Sequence, residues 1–160
     1  IFASPFDNMI YKMDASTLNF DGAWGAGGDS VDLGGQTSGE MISPTKFAGT
    51  DAIFIGADEE VHRVKISDGT EETVQGWSGG VAINGDITSN IVTRDGFLYF
   101  GTSLGWCSCI RIDNAGTAIT GYPYRITGSG SIAQVGINVL DSEIYFVSDE
   151  GKVIALPFGS

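Results

Sequence analysis

The sequence predicts an all-β protein, a β-propeller of four-stranded antiparallel blades, and three observations carry that prediction. A strand that opens with an apolar residue followed at once by an aromatic one recurs four times, as Ile1-Phe2, Ile53-Phe54, Leu98-Tyr99 and Ile144-Tyr145. Each start is followed about ten residues later by a second strand that alternates apolar and mostly polar positions, as a half-buried strand does. Glycine supplies 24 of 160 residues, well above its usual share of about 7%, which suits a chain made mainly of tight turns. A unit of 45 to 52 residues with four short strands is the pattern of a propeller blade. One such sheet cannot bury both of its faces, so blades pack on one another around an axis.

In the first unit Ile1-Phe2 pairs with Ile10-Tyr-Lys-Met-Asp14, and no strand precedes it. Residues 20 to 40 carry little strand signal and are expected to form a long loop at one end of the ring. Inside it, Gly25-Ala-Gly-Gly-Asp29-Ser-Val31 nearly matches a calcium-binding nonapeptide repeat, but one copy cannot build the stacked turns that hold the ion. No metal or other cofactor is therefore expected; calcium at Asp29 is the single candidate, against a flexible loop. The second unit runs from Ile53-Phe54 to Val61-His-Arg-Val-Lys65, with a further strand expected over Glu72–Trp77 and a Gly-rich connector over Gly76–Asp86. His62, the only histidine, falls on the polar side of its strand and reads as a surface residue. With no second histidine or carboxylate pair evident beside it, it makes no triad or zinc site.

The third unit carries Ser89–Thr93, the Asp95-Gly96 turn, Leu98-Tyr-Phe-Gly-Thr102 and Cys109-Ile-Arg-Ile-Asp113. Its hairpin is longer than the others, which makes a bulge the expectation there. Cys107 and Cys109, the only cysteines, lie at i and i+2 on one strand and point the same way. Their Cα atoms would stand near the ~6.8 Å limit for a disulfide, so a Cys107–Cys109 bridge requires the bulge and free or partly buried thiols are the alternative. Two sulfurs are too few for a metal site. The last unit has Val135–Val139, Ile144-Tyr145 and Val153-Ile-Ala-Leu156, with Pro157 closing the ladder. With four strands to a full blade, the units are expected to hold three, four, four and three strands. Residues 1–160, with repeats starting near 1, 53, 98 and 144, are thus expected to be part of a larger ring of six to eight blades. A chain opening on Ile1 likewise reads as processed or only partly represented.

Twenty acidic residues against eight basic ones give a net charge of -12, which excludes the basic track that nucleic-acid binding requires. No apolar run approaches the ~18 residues of a membrane-spanning helix, so the chain is not expected to span a membrane.

The units resemble the pyrroloquinoline-quinone-like (PQQ-like, quinoprotein-dehydrogenase-like) propeller repeat, in which a strand ending in Gly-Thr leads through an Asp-Gly-type turn to a Val-Tyr-Ala-Leu-Asp strand and a Thr-Gly turn. The residues that carry the likeness are Leu98-Tyr-Phe-Gly-Thr102, Ile10-Tyr-Lys-Met-Asp14 with Ala15-Ser-Thr17, and Val153-Ile-Ala-Leu156 after Glu150-Gly151. The superfamily includes quinoprotein alcohol dehydrogenases, outer-membrane assembly lipoproteins and propellers of pilus-tip adhesins, so the resemblance implies a fold and leaves the activity open. In the dehydrogenases a Trp after the Thr-Gly turn locks the blades. Trp24 and Trp77 stand further from their strands than the family spacing, and a structural Trp between blades is the reading for both. The enzymatic members place neighbouring cysteines beside the quinone and an Asp with calcium; here Ser108 separates Cys107 from Cys109, and no Asp matches that base.

The expectation is accordingly a non-catalytic extracellular or periplasmic propeller, a binding or scaffolding module for a protein partner or a bacterial surface assembly. Its end loops at 21–40, 76–88 and 121–133 would be the docking segments. The alternatives are a PQQ-dependent dehydrogenase and a carbohydrate-binding propeller that stacks glycans on Trp77 or Trp106.

Overall fold

The structure, a computed structural model, describes residues 2–3, 8–20, 22–25, 28, 30–35, 37–38, 45–47, 50–71, 77, 80–128 and 130–159. The elements found there are strands, arranged in four antiparallel sheets. The first holds β1 (Phe2–Ala3), β2 (Met9–Lys12) and β3 (Ser30–Asp32) in the order β1-β2-β3. The second holds β4 (Thr37–Ser38), β5 (Thr45–Phe47), β6 (Thr50–Ala57), β7 (Glu60–Lys65) and β8 (Val81–Ala82), ordered β4-β6-β7-β8 with β5 also paired to β6. The third is β12-β11-β10-β9, built from β9 (Val92–Arg94), β10 (Phe97–Gly101), β11 (Trp106–Arg111) and β12 (Tyr124–Arg125). The fourth is β13 (Ile132–Asn138), β14 (Glu143–Ser148) and β15 (Val153–Pro157). The central hairpins β1–β2, β6–β7, β10–β11 and β14–β15 are the four recurrent units of the sequence.

Turn chemistry sets the pairing of β9 with β10. Asp95 and Gly96 both take positive φ, 49° and 87°, the type I′ geometry whose twist matches the flanking strands and joins β9 to β10. The sheets then pack in series like propeller blades, with one apolar core at each junction. Ile10, Trp24, Val31 and Leu33 of the first sheet meet Ile53, Ile55, Ala57 and Val64 of the second. Phe54, Val61 and Trp77 on the second sheet's other side meet Ile91, Leu98, Phe100 and Ile110. Tyr99, Cys107 and Cys109 on the third sheet's far side meet Ile132, Val135, Ile144 and Phe146. Each interior sheet is therefore buried on both faces.

That double burial overturns one expectation and explains it. His62 is 1% exposed and its neighbour Arg63 is buried too, where alternation had marked His62 as a surface residue. A strand between two neighbouring blades has no solvent face, so a polar residue on it is buried on one side or the other. Other differences are local. Residues 20 to 40 were expected as loop, yet Ser30–Asp32 pairs with β2 and Thr37–Ser38 with β6; strands of two or three residues leave too short a pattern to read. Within the connector expected at Gly76–Asp86, Val81–Ala82 pairs with β7 as the outer strand of the second sheet; residues 72–76 of the strand expected there lie outside the described residues. The long third hairpin places its extra length in the turn after Gly101, and β10–β11 pairs without interruption from Phe97↔Arg111 to Gly101↔Cys107. The register shift lies instead in the fourth sheet, between Ile132 and Gln134. Among the described residues no helix is long and apolar enough to cross a membrane.

Candidate functional site

The site begins where the innermost strands of the third and fourth sheets meet. The segment Thr88-Ser-Asn90 runs beside β13 and is joined to it by side chains. Asn90 Nδ2 donates to Val135 O at 2.9 Å while Val135 N–H donates back to Asn90 Oδ1 at 2.8 Å. Thr88 Oγ1 donates to Ile132 O at 2.9 Å, and Ser89 Oγ accepts from Gly101 N–H at 2.7 Å. Asn is well suited to the first task, since its amide matches the donor and acceptor of a backbone unit. These bonds fix the floor of a groove of about 600 Å³ lined by Thr88, Ser89, Asn90, Gln134, Tyr145 and Val147 among others. Its lining is amide, hydroxyl and apolar, with no charged side chain, so it suits hydrogen bonding and apolar contact with a ligand. The sequence marked the strands at Ser89–Thr93 and Val135–Val139 but gave no sign that they would meet.

The cysteines are elsewhere. Cys107 and Cys109 are free thiols buried in the core between the third and fourth sheets, on a regular strand that supplies no bulge to bring them together. Burial pushes both thiols up to about 12. Because the native state holds these protons where the unfolded chain releases them at its ordinary thiol pKa of about 8.5, this contribution to stability is complete below about pH 8 and disappears as pH rises toward 12. Two results are expected: native thiols resist iodoacetamide at pH 8 until denaturant is added, and the urea midpoint falls steadily from pH 9 to pH 11. A flat midpoint across that range would refute the assignment. The pair also fails to fit a quinone, since Cys107 and Cys109 pack against Ile132 and Phe146 and neither lines the groove.

His62 is placed with two carboxylates. Its Nδ1 lies 2.6 Å from Glu71 Oε1; a carboxylate only accepts, so Nδ1 carries the proton in this contact. Its Nε2 has no hydrogen-bond partner among the described residues and stands 3.6 Å from Glu60 Oε2. His62→Ala is expected to cost about 2 kcal/mol through the lost packing and hydrogen bond. Glu60→Gln, on a side chain half in water, should stay within about 0.5 kcal/mol of the parent. Urea melts that rank the two the other way would remove the structural role of His62.

Trp77 is buried between the second and third sheets and is closed to any ligand. Trp106 is half-buried, with the Arg125 guanidinium 5.7 Å over its ring. Asp29, the candidate calcium ligand, lies outside the described residues, among which no group of three His, Cys, Asp or Glu side chains could hold a metal ion. No protein-family model matches the chain, and no curated protein does. Among solved structures it is similar to the computationally designed Ika4 protein, a designed β-propeller, with a TM-score of 0.65 and 14% identity over 99% of this chain and 84% of that one. At that identity the likeness establishes the propeller fold alone.

Proposed function

We propose that this chain is a binding and scaffolding propeller of the PQQ-like repeat class, working outside the cytoplasm on a protein partner or within a surface assembly. The observation that carries the reading is the groove along the inner edge of the fourth sheet, where the Thr88-Ser-Asn90 segment meets Gln134, Tyr145 and Val147. It is wide, uncharged and rimmed by Gln134 and Tyr145, while the groups best suited to covalent or acid–base chemistry, Cys107, Cys109 and His62, are all buried in the sheet junctions. A surface of that kind holds a ligand by shape and hydrogen bonds. The one strand that ends in Gly101-Thr102 and the Asp14 and Asp68 turns, whose carboxylates accept from Ser16, Thr17 and Thr70, support the repeat class. Buried Trp24 and Trp77, each donating to a backbone carbonyl, support it as well.

A photo-crosslinking residue at Gln134, in cells that make the protein, tests the reading against Glu150 on an exposed turn. A discrete protein adduct from Gln134 alone is expected. Equal adducts from both positions, or oxidation of alcohols by the protein after addition of quinone and Ca²⁺ in a dye-linked assay, would overturn it. A glycan-array signal that disappears in Trp106→Ala would replace it with the carbohydrate-binding alternative.

A further inference from the structure

His62 carries a ring nitrogen that the fold leaves unused. Its Nδ1 proton goes to Glu71 Oε1 at 2.6 Å, which in the neutral ring leaves Nε2 as an acceptor. That atom is buried and has no hydrogen-bond partner among the described residues, where the great majority of buried polar atoms have one. Glu60 Oε2 stands 3.6 Å from it, beyond hydrogen-bond reach. A nitrogen lone pair and a carboxylate oxygen that face each other across such a gap call for a cation between them.

The spacing and the donor types select the cation. Bonds of about 2.1 Å, usual for Zn²⁺ with imidazole nitrogen and carboxylate oxygen, meet at about 118° when drawn from atoms 3.6 Å apart, close to the tetrahedral angle. Ca²⁺ and Mg²⁺ prefer shells made of oxygen, whereas imidazole suits Zn²⁺ and its transition-metal neighbours. Glu71 fits a second role. A metal-binding histidine donates its other ring N–H to a carboxylate, which fixes the ring and raises its basicity, and His62 already has that partner.

Gly80 leaves the room. It takes φ 107°, and a Cβ there would lie 2.7 Å from Glu60 Oε2 and 2.9 Å from His62 Cε1, the ring carbon bonded to Nε2. A larger residue would press on both side chains. Access comes from the carboxylate, because the Glu60 side chain is 47% exposed while that of His62 is 2% exposed. We propose that His62 Nε2 and Glu60 Oε2 bind one divalent transition-metal ion of the Zn²⁺ class, with Glu71 orienting the imidazole and water on the Glu60 side completing the shell. Two side-chain ligands are enough for such a site, so it needs no cluster of three. Both ligands are on β7, which bridges to Glu71 at Val64 and pairs with β8 at Glu60 and Val61. An ion at His62 therefore pins the strand between those two contacts. The site shares no residue with the groove at Thr88–Asn90, so it stands or falls apart from the binding function.

The test is titration of the 160-residue chain with Zn²⁺ alone at neutral pH, followed by calorimetry and by the proton resonances of the imidazole. The chain has a single histidine, so those resonances report on His62 directly. Salt at about 0.15 M screens the acidic surface beyond about 8 Å. Saturation at one ion per chain is expected, with the His62 resonances moving in step, while Ca²⁺ at the same concentration leaves them in place. Glu60→Gln, with unchanged circular dichroism, should lose the saturable step. Glu71→Ala should weaken binding by about 10–100-fold, the usual effect of removing the carboxylate behind a ligating histidine, and Glu71→Gln, which still accepts from Nδ1, should recover most of it. Uptake of Zn²⁺ that leaves the His62 resonances unmoved would show an adventitious ion on the thiols or the acidic surface and overturn the proposal. So would the absence of a saturable step, an equal response to Ca²⁺, or parent-like affinity in Glu60→Gln or Glu71→Ala.

Discussion

Trp77→Ala is expected to lower the unfolding free energy by about 3–5 kcal/mol, the range for deleting a large buried aromatic. Trp77 is 1% exposed and is shared by two sheets: its ring packs 5.5 Å from that of Phe54 on the second, while its Nε1 donates to Ile112 O on the third at 3.0 Å. Arg63 Nη1 donates to the same carbonyl at 2.8 Å. Ile112 O therefore keeps one partner after the substitution, and the loss comes mainly from the cavity and the missing apolar contact. That division can be measured. Trp77→Phe retains most of the volume and removes the donor, so it should cost only about 1–2 kcal/mol. Equal costs for Ala and Phe in urea melts would place the energy in the hydrogen bond and refute the packing account. Because the junction between the second and third sheets joins the two halves of the series, Trp77→Ala should also weaken the cooperativity of unfolding and so lower the m-value.

The hairpins were legible because they combine a period-two pattern with apolar-aromatic openings and turn residues such as Asp95-Gly96, all of which are local signals. The radial stacking was legible because the unit repeats. The short outer strands β3, β8 and β12 were harder, since a strand of two or three residues is defined by its partner more than by its own sequence. Burial of His62 and Arg63 was hidden for a different reason. Their strand alternates as a half-solvated one would, and only the presence of sheets on both sides turns its polar positions inward. The groove floor was hidden in the same way: Asn90 and Val135 are 45 residues apart, and nothing near either one announces the other. Trp77 was read correctly as a residue between blades, whereas the same letter in Trp106 lies half-buried beneath Arg125. The difference is set by the next sheet and not by the neighbouring residues.

Gly101→Ala should be the most damaging single-methyl addition in the third sheet. Gly101 ends β10 at the point where β13 crosses it, and a Cβ there would lie 2.2 Å from both Cβ and Cγ2 of Ile132. Ile132 cannot retreat easily. Its N–H donates to Thr102 O at 3.0 Å, its carbonyl accepts from Thr88 Oγ1, and its side chain is fully buried. Gly101 is held as firmly, through Ser89 Oγ on its N–H and Thr88 N–H on its carbonyl. The clash must then be relieved by moving the fourth sheet away from the third, which opens the core around Tyr99 and Phe146. Overpacking of this kind costs about 1–3 kcal/mol, and the rigid backbone on both sides puts Gly101→Ala at the upper end. Gly116→Ala has only Asn114 Oδ1 within reach, at 3.6 Å, and should stay within about 0.5 kcal/mol. Amide exchange supplies the spatial test: in Gly101→Ala, protection should fall across β13–β15 more than across β6–β7. Uniform loss over all four sheets, or a cost matching that of Gly116→Ala, would show that the close approach of β10 to β13 is not what holds the last sheet in place.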